Sequence, residues 1–183
     1  TYIKAQFKAK MADIGIAFDA DVFRLTIAPL RLELKNATFN NRETGEKLFF
    51  IREAYLGLSV DDLYAWQLSR DITINTTDIR GAEVWIKFDA EGRSNFRYES
   101  VVFSLHDSVV HFGDVSRKIA ADANNVIFLL EPENLSVPDE QKRYKFDLTS
   151  TESKFVYDER ALEPIDLRAT GIADRSGAEI TEL

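Results

Sequence analysis

Hydrophobic residues fall on every second position through most of this chain, and a period of two predicts strands with one apolar face. Leu30, Leu32 and Leu34 alternate with Arg31, Glu33 and Lys35. Ala54, Leu56, Leu58 and Val60 share one face of a long strand over Leu48–Val60. Residues 72–96 read as two strands and a turn: Ile72 and Ile74, a break at Gly81, then Val84, Ile86 and Phe88 alternating with Glu83, Trp85 and Lys87. Asp89-Ala-Glu-Gly92 turns the chain. In the same way Ile14–Phe18 and Val22–Ile27 flank an expected turn at Asp19-Ala20-Asp21, and Pro29 fits a strand start or edge.

Further along, Val101, Phe103 and Leu105 make one row, and Asp107–Asp114 is expected to open the next hairpin. Asn125–Leu130 is a return strand with Val126, Phe128 and Leu130 on one face. Tyr144, Phe146 and Leu148 alternate again. Lys154–Asp158, carrying Phe155 and Tyr157, and Pro164–Ala169 form a last hairpin around Glu159–Glu163, and residues 173–183 are expected to fray or to continue into further sequence.

Helical spacing is confined to two short stretches. Over residues 1–12, Ile3, Phe7 and Met11 share a face while Lys4, Lys8 and Lys10 are cationic. This segment reads as a cap on an open sheet end or as a basic amphipathic helix at a lipid surface. Ser59–Trp66 reads as an N-cap and one or two turns.

Three segments repeat one plan, a small polar start, an alternating strand and a polar turn into a second strand. They begin at Asn36-Ala-Thr-Phe, Asp107-Ser-Val-Val and Thr151-Glu-Ser-Lys, and Gly81-Ala-Glu-Val copies the first half. Such a repeat favours a meander of hairpins. Its apolar rows need a cover, because each Å² left to water costs about 25 cal/mol. Two short helices are too little, which leaves a sheet packed on a sheet or a curved trough around an apolar ligand. The rows are Leu32, Leu34, Leu56, Leu58, Ile72, Ile74, Val84, Ile86, Phe88, Phe103, Leu105, Phe128, Leu130, Phe146, Leu148, Phe155 and Tyr157. Alternation looks the same whether they seal a core or line a groove.

Composition narrows the picture. Of 183 residues, 45% are hydrophobic and 30% charged, which places the chain among folded domains. The 13 Phe outnumber the 8 Gly, so the apolar content is bulky and suited to strands. A formal net charge of −8 without a basic patch opposes nucleic-acid binding. Lack of cysteine excludes disulfides, thiolate zinc sites and a thiol nucleophile. No apolar run is long enough for a membrane-spanning helix. The chain starts at Thr1, and we expect a piece of a longer protein, with any targeting or anchoring segment outside it.

Reactive chemistry is not in evidence. His106 and His111 are five apart on an apparent strand and are expected on opposite faces, unable to share a metal. Asp61-Asp62 and Asp158-Glu159 occupy cap or turn positions, with nothing to pair or bury them as an acid–base couple. Phosphate-binding and nucleophile-elbow motifs are missing from the sequence. No enzyme activity, cofactor or metal is expected.

Several motifs together resemble the AsmA-like family of bacterial envelope proteins, TamB-like members included. The stretch Leu32-Glu-Leu-Lys-Asn-Ala-Thr-Phe-Asn-Asn-Arg-Glu-Thr-Gly-Glu-Lys-Leu-Phe is similar to the family's early hairpin. Ile51-Arg-Glu-Ala-Tyr-Leu-Gly-Leu-Ser-Val-Asp-Asp-Leu resembles its strand running into a short helix. Gly-Ala-Glu-Val-Trp-Ile and Asp-Ala-Glu-Gly-Arg-Ser-Asn-Phe, within 72–96, resemble its glycine–valine strand, aspartate–glycine turn and Asn-Phe pair. The resemblance covers residues 14–96. One departure is the early arrival of Val101 after Phe96, where the family leads us to expect a longer polar linker.

The resemblance implies an all-β fold with one or two short helices. Its long antiparallel meander would form a strongly curved, twisted sheet with an apolar concave face, a taco-like β-groove. The whole of 1–183 would be one segment of that groove: 1–12 a helix, 14–96 a first part and 101–172 a second. It implies a periplasmic location and an inner-membrane anchor outside this segment. Phospholipid acyl chains are the implied cargo between inner and outer membranes, in support of outer-membrane biogenesis, with an outer-membrane barrel protein as partner. The apolar rows above would then line the groove. The competing expectation is a non-enzymatic structural or protein-binding sheet with a sealed core.

Overall fold

A computed structural model describes residues 2–58, 74–91, 102–138, 141–174 and 177–183. One helix, α1 (Tyr2–Asp13), leads into a single ten-stranded sheet. The first strands are β1 (Ile16–Ile27), β2 (Leu30–Asn41), β3 (Lys47–Leu58), β4 (Ile74–Phe88) and β5 (Val102–Asp114). They are followed by β6 (Ile119–Pro132), β7 (Tyr144–Tyr157), the short β8 (Arg160–Ala161), β9 (Ile165–Asp174) and β10 (Gly177–Glu182). The spatial order is β1-β2-β3-β4-β5-β6-β7-β9-β10, with β8 paired to β7. The sheet is curled and all-β, and it stays open, because β1 pairs only with β2 and β10 only with β9.

Every neighbouring pair is antiparallel except β4 and β5, which are parallel. The expected unbroken antiparallel meander is therefore interrupted once. Two meanders lie side by side, joined at this parallel pair, and a hairpin turn cannot join parallel strands.

The long strands carry a common irregularity. Asn36 (φ 47°), Gly81 (φ 64°), Asp107 (φ 46°), Asn125 (φ 47°) and Glu152 (φ 49°) are left-handed in mid-strand. The registers place them at one level. Ala37↔Ile51 and Lys35↔Glu53 set Asn36 opposite Arg52. Ile51↔Ala82 and Glu53↔Arg80 set Gly81 opposite the same Arg52, and Arg80↔His106 with Glu83↔Val109 brings Asp107 alongside. Asn, Asp and Gly tolerate this conformation best, which is why they recur here.

At that level each strand slips by one residue, and so does the hydrophobic pattern. Phe18 and Ala20 give way to Phe23 and Leu25; Leu32 and Leu34 to Ala37 and Phe39; Ile79 to Ala82 and Val84. The two slips cancel, so one face stays apolar through the irregularity. The residues beside it on that face are small and enclosed. Ala37, Ala54, Ser108 and Ser153 are fully buried, Ala82 nearly so. Small side chains on the inside of a sharp fold leave room for the two halves of each strand to close toward one another, and the level is a crease.

Side chains bridge the crease where ladder bonds lapse. Asn36 Nδ2 donates to Asp21 Oδ2 (2.8 Å), Asn125 Nδ2 to Thr151 Oγ1 (2.8 Å) and the Glu152 amide to Asp166 Oδ1 (2.9 Å). Ser108 Oγ accepts from the Ala82 amide (3.0 Å) and donates to the His106 carbonyl (2.7 Å). This buried hydroxyl satisfies backbone groups that the slip would orphan.

The crease corrects several expectations. Asp19–Asp21 is not a turn, Gly81 is not a break between strands, Asp107 does not open a hairpin, and Lys154–Asp158 is not a separate strand from Tyr144–Leu148. In each case one long strand runs through a slip that imitates two short strands and a turn. The repeat starts at Asn36, Gly81, Asp107 and Thr151 mark the crease, not strand beginnings. Residues 173–183 are not wholly frayed: β10 pairs with β9 through its backbone. The expected helix at Ser59–Trp66, and Ile72, lie outside the described residues.

Candidate apolar binding trough

A crease that crosses the strands makes a trough whose long axis also crosses them. Its walls are the two halves of the strands. Between them lies a cavity of about 390 Å³ lined from α1 and β1 through to β7. One wall supplies Leu34, Leu56, Ile74, Thr77, Ile79, Phe103, Leu105, Val126, Phe128 and Leu148. The other supplies Ile16, Phe39, Phe49, Ile51, Val84, Ile86 and Val110, with Ala54 and Ala82 at the crease. Every lining side chain but Thr77 is apolar, counting Phe7, Met11 and Ile14 from α1 and the residue after it.

Of the residues expected to line a groove, Leu34, Leu56, Ile74, Val84, Ile86, Phe103, Leu105, Phe128 and Leu148 border this cavity. Leu32 is buried in the core cluster and does not border the cavity, and Leu58 packs against the same cluster. Leu130 and Phe146 face each other across β6 and β7 away from the crease. Phe88 packs on Phe112 with ring centroids 5.7 Å apart. Phe155 pairs with Ala121 beyond the cavity, and Tyr157 is 60% exposed at the end of its strand.

Sequence reasoning missed much of the second wall. Phe39, Phe49, Ile51 and Val110 lie past the crease, where a uniform period of two assigns the other face. A signal was present: Leu34-Lys-Asn-Ala, Ile79-Arg-Gly-Ala and Leu105-His-Asp-Ser each separate two inward positions by three residues, with Asn, Gly or Asp between.

α1 closes the β1 end. The Phe7 ring lies 4.8 Å from that of Phe18 and 5.4 Å from that of Phe23, centroid to centroid. Those two phenylalanines stand on opposite sides of the crease, so Phe7 is wedged between the walls. Lys8 and Lys4 reach the exposed Asp19 at 2.7 and 3.5 Å, and Lys4 Nζ donates to the Ala20 carbonyl. The hydrogen bond from Lys8, then that from the Ala20 backbone, hold the Asp19 carboxyl below the usual range. α1 thus lies on the sheet as a cap, held by Phe7 on the apolar side and by Lys4 and Lys8 reaching β1.

The convex face is polar. Lys35 sits between Glu33 and Glu53 at 3.4 and 3.1 Å, and Tyr55 donates to Glu53 at 2.7 Å. The expectation for the histidines is corrected here: the slip at Asp107 puts both on this face, His106 beside Asp78 and His111 beside Glu83 and Asp122. His111 Nδ1 is 2.6 Å from Asp122 and Nε2 3.0 Å from Glu83, with the ring stacked on Trp85 at 5.3 Å. Burial pushes its pKa down, but the two carboxylates together outweigh that and hold it above the ordinary histidine value. Both ring nitrogens are thereby engaged. Among the described residues no group of His, Asp and Glu is arranged to hold a metal, and no helix is long and apolar enough to cross a membrane. Asp158 and Glu159 lie in the turn after β7, where Lys118 reaches Asp158 at 2.6 Å.

The lining offers hydrophobic contact, with the Thr77 hydroxyl as its one polar side-chain group. No protein-family model matches this chain, and no curated protein matches it either.

Proposed function

We propose that the trough binds the acyl chains of lipids, shielding them from water along the crease. The observation that carries this reading is the cavity between the two walls, apolar at every lining position but Thr77. Hydrocarbon there replaces water on a surface that gives water nothing to bond to. In the setting implied by the AsmA-like resemblance, the chain is part of a periplasmic protein anchored in the inner membrane. It moves or shields phospholipid acyl chains between inner and outer membranes, alongside an outer-membrane barrel partner, and it catalyses no reaction.

A second reading, a structural or protein-binding sheet with a sealed core, has support in the fully buried floor at Ala37, Ala54 and Ser108.

Native mass spectrometry of the purified chain, with extraction and identification of bound lipid, separates the two. The acyl reading expects co-purifying lipid. It also expects a loss of at least about tenfold in affinity for a fluorescent fatty acid in Ile86→Glu, which puts a charge on the cavity wall. A lipid-free protein that binds no acyl probe, or that assembles edge to edge while remaining dry, overturns it.

A further inference from the structure

The cavity ends differently in its two directions along the crease. Toward β1 it meets Phe7, held between Phe18 and Phe23, and Met11 one helical turn on. Toward β9 its last lining residue is Leu148 on β7, which pairs with the buried Ala169; across the crease Ile165, the partner of Ser153, is 46% exposed. From β2 to β7 the cavity crosses five strand-to-strand steps, roughly 24 Å at about 4.8 Å per step. That is the order of length of an extended long-chain fatty acid.

We propose that α1 is the end wall of the site and gauges chain length. An acyl chain lies along the crease with its terminal methyl against Phe7 and Met11 and its polar end beyond β7. These two side chains then set the longest chain the trough takes. The inference rests on the acyl reading above and adds the polarity of the ligand and the residues that limit it. Phe7 is suited to the task because its ring touches Phe18 on one side of the crease and Phe23 on the other. Met11 beside it is unbranched and adapts its shape to what abuts it.

The test is competition of a homologous series of saturated fatty acids, decanoic to docosanoic, against cis-parinaric acid on the full chain. With an end wall, affinity rises about fourfold per methylene until the wall is met and then levels off. Phe7→Ala and Met11→Ala are expected to move the plateau to longer acids by two or more carbons, and Phe7→Trp to shorter ones. A uniform drop at all lengths, with the plateau unmoved, overturns the inference and leaves α1 a structural cap. A wild-type protein that displaces no probe at any length overturns the acyl reading itself. If Phe7→Ala shows no cooperative melt, Met11→Ala and Phe7→Trp decide.

Discussion

At the β1 end of the trough, Phe7, Phe18, Phe23 and Phe39 form a chain of ring contacts across the crease and α1 lies over them. At the β10 end, Ile165 and Ile180 are 46% and 56% exposed, and Ala169 is the buried hydrophobic residue of β9. The two ends share strand geometry, crease and alternating pattern, yet only one is packed. The buried cluster runs from Phe18 on β1 to Val126 on β6. Strand pairing therefore continues past the point where the buried cluster stops, and at β9 and β10 the ladder is joined by Thr181 Oγ1, which donates to the Thr170 carbonyl at 3.1 Å.

The largest expected effect tests this difference directly. Phe18→Ala removes a buried ring that touches three others and should cost about 3–5 kcal/mol. Ile165→Ala, on the same face at the far end, should stay within about 0.5 kcal/mol. Urea unfolding of both variants measures the contrast, and similar losses would mean that the far end is packed after all.

Gly171 sharpens the comparison next. A Cβ there would come 2.1 Å from the Glu179 carbonyl and 2.7 Å from the Phe146 ring. Gly171→Ala should therefore push β10 off β9, at about 1–3 kcal/mol of overpacking if β10 stays in place. Hydrogen exchange is expected to quicken in 177–182 while protection in β2–β4 holds. Loss of protection in both would show that the lightly packed end is coupled to the core.

The smallest effect concerns the clasp on α1. Asp19→Asn removes the carboxylate that Lys4 and Lys8 reach, and exposed pairs of this kind contribute less than about 1 kcal/mol. The difference from wild type should shrink further in high salt. The folded carboxyl titrates below its ordinary value of 3.8. Its contribution is thus present above that value and lost as pH falls through the lower folded one. Urea midpoints at two salt concentrations, and in mild acid, read it out. A large loss would mean that ion pairs, not Phe7, hold the helix.

Much of this fold was legible from alternation alone. Leu30, Leu32 and Leu34 place β2, Ala54, Leu56 and Leu58 place β3, and the polar run Asn40–Glu46 between them contains the observed turn at 42–44. The crease was not legible as such, because a left-handed residue between two inward positions imitates the end of one strand and the start of another. The same slip put His106 and His111 on one face against expectation and hid Phe39, Ile51 and Val110 from the list of lining residues. β10 was unreadable for a different reason: its side chains over 178–183 are exposed and carry no apolar row that marks the pairing. The parallel join at β4 and β5 had one sequence cue, the early return after Phe96, whose meaning depends on where the chain goes between strands.

Because the crease crosses the strands, the trough's cross-section and its length are separate variables. Length follows from how many strands lie side by side. Inserting one more hairpin with its own Asn, Asp or Gly at the same height would extend the trough by about 10 Å and leave its cross-section unchanged. Duplication of a hairpin is thus enough to lengthen it, without redesigning any one layer.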